Sequence, residues 1–310
     1  MTVRAYFHTD ASAPVLTGAA GALINVLDAC LVNGYGAKAA AGWTKSFSGT
    51  NKAAYRQGGG NQMYLRVDAT GTSSARVIGY EVMTDVDTGT GPFPADGQVS
   101  GGGYWYLSTT TTSVERPWMV LADDKLVFFV CVIDKTAAEG FAASIGNQPG
   151  YLFGDAVSFL PDDDFLTVIS VGTGVGGSAR SYLAQASNSA ASVTTGLYAA
   201  RSASQTGGST ALCLCTAGLI WAGAAGTIGT VIPAYPNAYT GKLDIAPVYV
   251  REQNSTIRGR IPGFFAPAHD LPSSPGDTFS LGAREFILLD IANAGTRGRG
   301  AFEISDTWDA

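Results

Sequence analysis

The sequence predicts a mainly β protein, with β-sandwich or barrel-like lobes and one prominent helix near the N-terminus. Three features lead there. The 40 glycines among 310 residues, with Ser, Thr and Asn, cut the apolar residues into short runs, as strands joined by turns require. Inside those runs aromatic and β-branched residues alternate with polar ones at a period of two. One stretch instead carries helical spacing, with apolar residues at Leu16, Ala20, Leu23, Ile24, Leu27 and Leu31.

That stripe predicts a helix over 17–32, capped by Thr17 and stopped by Asn33-Gly34, whose apolar face must meet a core. Strands follow at 62–68, 75–84 and 103–108. The clearest unit is 117–133 (PWMVLADDKLVFFVCVI), read as a hairpin of 117–122 and 125–133 with one face buried and Asp123-Asp124 in a tight turn. Further strands are expected at 156–160, 165–171, 196–200, 211–217, 243–251 and 284–290. The Gly-, Ser- and Ala-rich stretch 172–195 predicts a long loop or a lobe boundary. It suggests an N-terminal lobe over 1–175 and a β-rich C-terminal lobe over 176–310, with a single domain as the alternative. Neither a fixed-period repeat nor heptads support a fibrous shaft.

Composition narrows the function. Charged residues make up 14% and apolar ones 46%, so much of the surface is uncharged, which suits a subunit covered by neighbours. A net charge of −6 with scattered Lys and Arg argues against nucleic acid, whose binding needs clustered cations. Cys30, Cys131, Cys213 and Cys215 read as small core residues; with His8 and His269 as the only histidines, a zinc site is not expected. The N-terminus lacks a cationic-then-apolar export signal. Residues 211–233 are about long enough to cross a bilayer, but glycine and threonine dilute them and no cation flanks them closely; buried strands are expected there, and no membrane span.

Several motifs invite a chemistry. Gly172-Thr173-Gly174-Val175-Gly176-Gly177 has the glycine spacing of a dinucleotide loop, yet no acidic residue occurs between Asp164 and Asp244 to hold a ribose. No cofactor is therefore expected. Asp85-Val86-Asp87-Thr88-Gly89-Thr90 resembles protease, phosphatase and calcium motifs at once, with Asp96 as a distant ligand; each lacks a partner, and a rigid polar loop is the simpler reading. Asp162-Asp163-Asp164 is a solvated turn or a metal site. His269-Asp270 adjacency does not build a triad, and Asn254-Ser255-Thr256 is a polar loop in a chain without an export signal. No catalytic residue is assigned. In 257–267 (IRGRIPGFFAP), Arg258 and Arg260 would share a face of an extended segment. The following Pro, Gly, Phe264 and Phe265 make either a stiff exposed arm for docking or a loop packed on its own domain.

Segments 26–58 (VLDACLVNGYGAKAAAGWTKSFSGTNKAAYRQG), 63–68 (MYLRVD), 75–94 (ARVIGYEVMTDVDTGTGPFP) and 258–267 (RGRIPGFFAP) resemble an uncharacterised family of virion structural proteins of tailed bacteriophages. The resemblance implies a component of the virion, assembled in the host bacterial cytoplasm. Its partners would be other virion proteins and copies of itself. The tail, at the tube end, baseplate or tip, is the expected position; capsid decoration and a head-tail connector are the alternatives. The expected interface anchors are Trp43, Phe47, Tyr55, Arg258, Arg260, Phe264 and Phe265. One rival is a host-glycan-binding module stacking sugars on Tyr104, Trp105 and Tyr106. Another is a cell-wall hydrolase using Asp85 and Asp87.

Overall fold

The computed structural model describes residues 2–95, 97–99, 102–141, 147–173, 183, 195–204, 211–217, 245–252, 257–267, 274–290 and 299–308. The chain is mainly β, as its glycine punctuation and period-two runs predict, with a single α-helix among the described residues. Every strand pairing described is antiparallel.

The helix α1 (Ala22–Leu27) is shorter than its apolar stripe and runs straight into a π-helical turn (Asp28–Asn33). Leu16 and Ala20 lie outside it. Leu16 instead bridges Arg116, whose amide donates to the Leu16 carbonyl at 2.8 Å. Gly18 passes so close to Thr110 that a Cβ there would lie 1.9 Å from its carbonyl oxygen. Gly21, with φ +80°, turns the chain into the helix in place of Thr17, which bonds only the nearby Ala19 amide. The stop at Gly34 is where the spacing places it, at φ +74°. Leu23, Ile24, Val26, Leu27, Cys30 and Leu31 fill the core beneath.

The strands form one connected network. Strands β2 (Thr44–Gly49), β3 (Lys52–Arg56), β4 (Tyr64–Asp68), β5 (Ser74–Asp85) and β6 (Thr88–Phe93) make a meander. Strand β7 (Gly103–Tyr106) joins the start of β5 to the end of β12 (Thr167–Thr173). A second series passes from β1 (Arg4–Phe7) through β8 (Trp118–Ala122), β9 (Leu126–Cys131) and β10 (Gly150–Asp155) to the start of β12. From the opposite edge of β12 it continues through β13 (Thr195–Ala199), β14 (Ala211–Ala217), β15 (Ile245–Glu252) and β16 (Ile257–Pro267). Beyond β16 lie β19 (Arg299–Glu303), β18 (Arg284–Asp290) and β17 (Thr278–Leu281), and the short β11 (Val157–Ser158) also pairs with β16. The boundary expected at 175/176 lies outside the described residues; β12 and β13, on its two sides, are paired.

The β8–β9 hairpin has both faces buried, not one. Val120, Phe129, Tyr151 and Phe153 point into the core under α1, while Met119, Leu121, Phe128, Val130 and Leu152 point into a second core shared with β15, β16, β18 and β19. That double burial is why the run WMVLA…LVFFVC is continuously apolar rather than alternating. Asp123 closes the turn, its Oδ1 accepting from the Lys125 and Leu126 amides at 2.8 and 2.7 Å. Among the described residues no helix is long and apolar enough to cross a membrane.

Candidate functional site

The β2–β6 meander has two unlike faces, and the alternation of its strands sets both. In Tyr64-Leu65-Arg66-Val67-Asp68, Leu65 and Val67 are fully buried, together with Ala53, Tyr55, Val77 and Phe93 from neighbouring strands. The other face carries a row in register across five strands: Thr44, Arg56, Tyr64, Tyr80 and Pro92. Phe47 stacks on Tyr64 with ring centroids 6.3 Å apart, and the Arg56 guanidinium lies 5.7 Å from the Tyr64 centroid. Tyr64 and Tyr80 are half-buried, and Val82, two residues further along β5, is 53% exposed. Aromatic rings, an arginine and an exposed aliphatic residue on a stiff sheet have the composition of a protein-binding patch.

One end of this face is charged and self-neutralised. Asp87 accepts from Lys52 Nζ at 2.9 Å and from Arg66 Nη2, and these bonds hold its carboxyl below the usual range. Asp68 takes Arg66 at 3.3 Å and Lys52 at 3.8 Å. Asp85 faces solvent and accepts only the Asp87 amide, at 3.4 Å. The two acids thus have different partners, Asp87 two cations and Asp85 a backbone amide. Val86 and Asp87 make a tight turn directly after β5, so the polar loop expected after a strand is the hairpin connection into β6. Asp96 lies outside the described residues. Among the described residues no group of three or more His, Cys, Asp or Glu is placed to hold a metal.

The residues expected as anchors are mostly core. Trp43 donates its indole N–H to the Asp123 carbonyl at 2.6 Å and packs edge-on to Phe153. Tyr55 is fully buried, its hydroxyl donating to Asp28 at 2.8 Å. The segment read as an arm or loop is strand β16, with neighbours on both edges. Phe264 stacks on Phe302 at 4.8 Å, and Phe265 meets Phe286 edge-on at 5.5 Å. Gly263 has φ +67° and lets the chain pass Trp308, which a Cβ would meet at 2.4 Å. A side chain without exposed surface offers a neighbour nothing to grip, so Trp43, Tyr55, Arg258, Phe264 and Phe265 are not surface anchors. Phe47 and Arg260 keep partial exposure.

Arg258 has a different task. It forms a two-pronged ion pair with Asp163, Nε to Oδ2 at 2.8 Å and Nη2 to Oδ1 at 2.7 Å, with both side chains fully buried. Its Nη1 donates to Glu252 at 2.9 Å and to the Arg201 carbonyl. Burial alone would raise the Asp163 carboxyl; the bonds from Arg258 and Ser158 outweigh it and leave the group below its ordinary value. Next to this network Arg201 pairs with Glu81 through bonds of 2.7 and 2.6 Å, its guanidinium 3.9 Å from the Phe165 ring centroid. Of the acidic triplet, Asp163 is thus an internal counter-ion, while Asp162 and Asp164 stay exposed.

The glycan platform does not assemble where the aromatic triplet suggested. Trp105 is fully buried against Phe129 and Tyr151 and Tyr106 is 6% exposed, which leaves only Tyr104 partly open. Both ring nitrogens of His8 face backbone carbonyls, of Trp118 and Ala137. Residues 174–177 of the glycine run, His269-Asp270, Asn254-Ser255-Thr256 and the side chains of Cys213 and Cys215 lie outside the described residues; Cys30 and Cys131 are free and buried. Tyr64, Tyr80 and Val82 were not among the residues expected to serve, although the period-two pattern that buries Leu65 and Val67 turns them outward. No protein-family model matches the chain, and a search of curated proteins finds no relative.

Proposed function

We propose that this chain is a structural subunit of a tailed-phage virion, working through contacts with copies of itself and with other virion proteins. The observation that carries the reading is the outer face of β2–β6: half-exposed rings of Phe47, Tyr64 and Tyr80 with Val82, held on a sheet whose other face is core. Such a face costs little ordering entropy when a neighbour covers it. Its sequence falls in segments 26–58, 63–68 and 75–94, three of the four stretches that resemble the virion proteins. A place in the tail, at the tube end, baseplate or tip, follows that resemblance; capsid decoration and a head-tail connector are the alternatives. Antibody labelling of intact and detergent-disrupted particles tests it. Label at one fixed position on every particle is expected, and particles that never contain the chain would refute the reading.

The stacked Phe47–Tyr64 pair favours one second reading, a platform for host glycan, since a flat half-exposed ring pair suits a sugar face. Screening the purified chain on a glycan array separates the two. Selective binding abolished by Tyr64→Ala supports adsorption, and silence leaves assembly.

A further inference from the structure

We propose that His8 is an acid-closed clasp, whose protonated ring ties the surface segment 134–141 to the β1–β8 pair and whose deprotonation loosens that segment. The inference stands apart from the subunit reading. His8 directly follows β1, and its amide extends the β1–β8 ladder by donating to the Trp118 carbonyl at 3.1 Å. The ring is half-buried. Its Nδ1 lies 3.3 Å from the same Trp118 carbonyl, and its Nε2 lies 3.2 Å from the carbonyl of Ala137, 129 residues away in the chain. The Phe141 ring meets it edge-on at 5.4 Å.

A carbonyl oxygen only accepts. Neutral imidazole has one N–H, so it donates to one of these carbonyls and sets a lone pair against the other. The imidazolium donates to both, through charge-assisted bonds. Protonation thus adds a bond that exists only while the segment is docked, so acid favours the docked state, and the change falls where histidine ordinarily titrates, about pH 5–8. The segment holds one 3-10 turn, Ala137–Glu139, with Thr136, Ala138 and Glu139 exposed. Its backbone is otherwise tied by the Ala137 amide to the Glu115 carbonyl at 2.8 Å and by Arg116 to the Lys135 carbonyl at 2.9 Å, so one more bond at its centre bears on its local opening. The charged groups on the surrounding elements have partners other than the ring. Asp10 accepts from the Phe7 amide and the Tyr35 hydroxyl and faces Lys38 at 3.6 Å, and Asp134 accepts from Asn147. Arg116 also bonds Ser108 and Thr110, and Glu139 takes Thr136 and Lys135, with the Thr136 bonds holding its carboxyl below the usual range. The Glu115 side chain is exposed.

The test is hydrogen-deuterium exchange of the full chain on the two sides of the histidine range, at about pH 5 and about pH 8. It is read at the Ala137, Glu139 and Gly140 amides and corrected for the intrinsic pH dependence of exchange. Protection is expected to be roughly tenfold higher in acid, the worth of one charge-assisted hydrogen bond. His8→Gln, which takes up no proton, should lose the difference, and Glu139→Gln should keep it. If His8→Gln melts early, nitrogen NMR of the wild-type His8 ring carries the test: in acid both ring nitrogens should bear protons that exchange slowly with water. Equal protection at the two pH values, a difference that survives in His8→Gln, or fast exchange of the ring protons in acid would overturn the clasp, and each would leave the subunit reading standing.

Discussion

Arg258 illustrates how a charge that reads as a surface anchor becomes a structural pin. Its guanidinium is fully buried and bonded to Asp163 and Glu252, so its removal strands the fully buried Asp163 carboxylate and takes a partner from the partly exposed Glu252. Arg258→Met should destabilise the chain by about 3–5 kcal/mol, read as a lowered urea midpoint. Asp163 adds a pH signature. Its folded-state carboxyl lies below the ordinary value, so its stabilisation is fully present above the unfolded pKa, about 3.9, and is lost as pH falls through the lower folded one. The stability gap between wild type and Asp163→Asn should therefore be widest near neutrality and close in strong acid. Asp155 runs the other way. Burial raises its carboxyl against bonds from Thr167, Gln57 and the Asn61 amide, so its proton uptake favours the folded state as pH falls. Urea midpoints of Asp163→Asn and wild type across the acid range separate the two contributions.

At the scale of elements, the two faces of a strand should answer differently to the same change. Phe128 in β9 lies in the second core, touching Phe264, Phe302 and Trp308, and Phe128→Ala should cost about 3–5 kcal/mol. Phe47→Ala on the outer face should cost under about 1 kcal/mol in the isolated chain while weakening assembly. Gly263→Ala should destabilise by more than about 1 kcal/mol, since φ +67° and the Trp308 ring both oppose a Cβ; thermal melts of the three variants check the order. Local pattern reached far here. The bounds of β14 and β18 are those expected from alternation alone, and the Asp123 turn was legible in its flanking apolar runs. What the sequence hid was non-local. The counter-ion of Arg258 lies 95 residues away, so an Arg-x-Arg before Pro and Gly reads equally as an arm or as a loop packed on its own domain until the fold brings Asp163 to it. Leu16 continued a helical stripe only until Arg116, across the sheet, captured its carbonyl. The doubly buried hairpin read as half-buried because its second core is shared with β15, β16, β18 and β19, elements with no local signature in residues 118–131.

For the molecule as a whole, β12 is the junction. It pairs with β10 and β7 along one edge and β13 along the other, linking the meander to the long second series of strands. The charges at the inner ends of this framework are spent on one another, in Arg258–Asp163, Arg201–Glu81 and Arg284–Glu303. The rings of Phe47, Tyr64 and Tyr80 on the outer face of the meander stay half-exposed, and the proposed subunit role has a neighbour cover them. Candidate anchors were only partly legible in the sequence, because a large aromatic residue marks a core as readily as an interface; Phe47 stayed half-exposed where Trp43 and Tyr55 went inward. Hydroxyl-radical footprinting of Phe47, Tyr64 and Tyr80, in the isolated chain and in intact particles, tests the central claim most directly. Rings reactive in the free chain and shielded in the particle are the predicted result; equal reactivity in both states would contradict it.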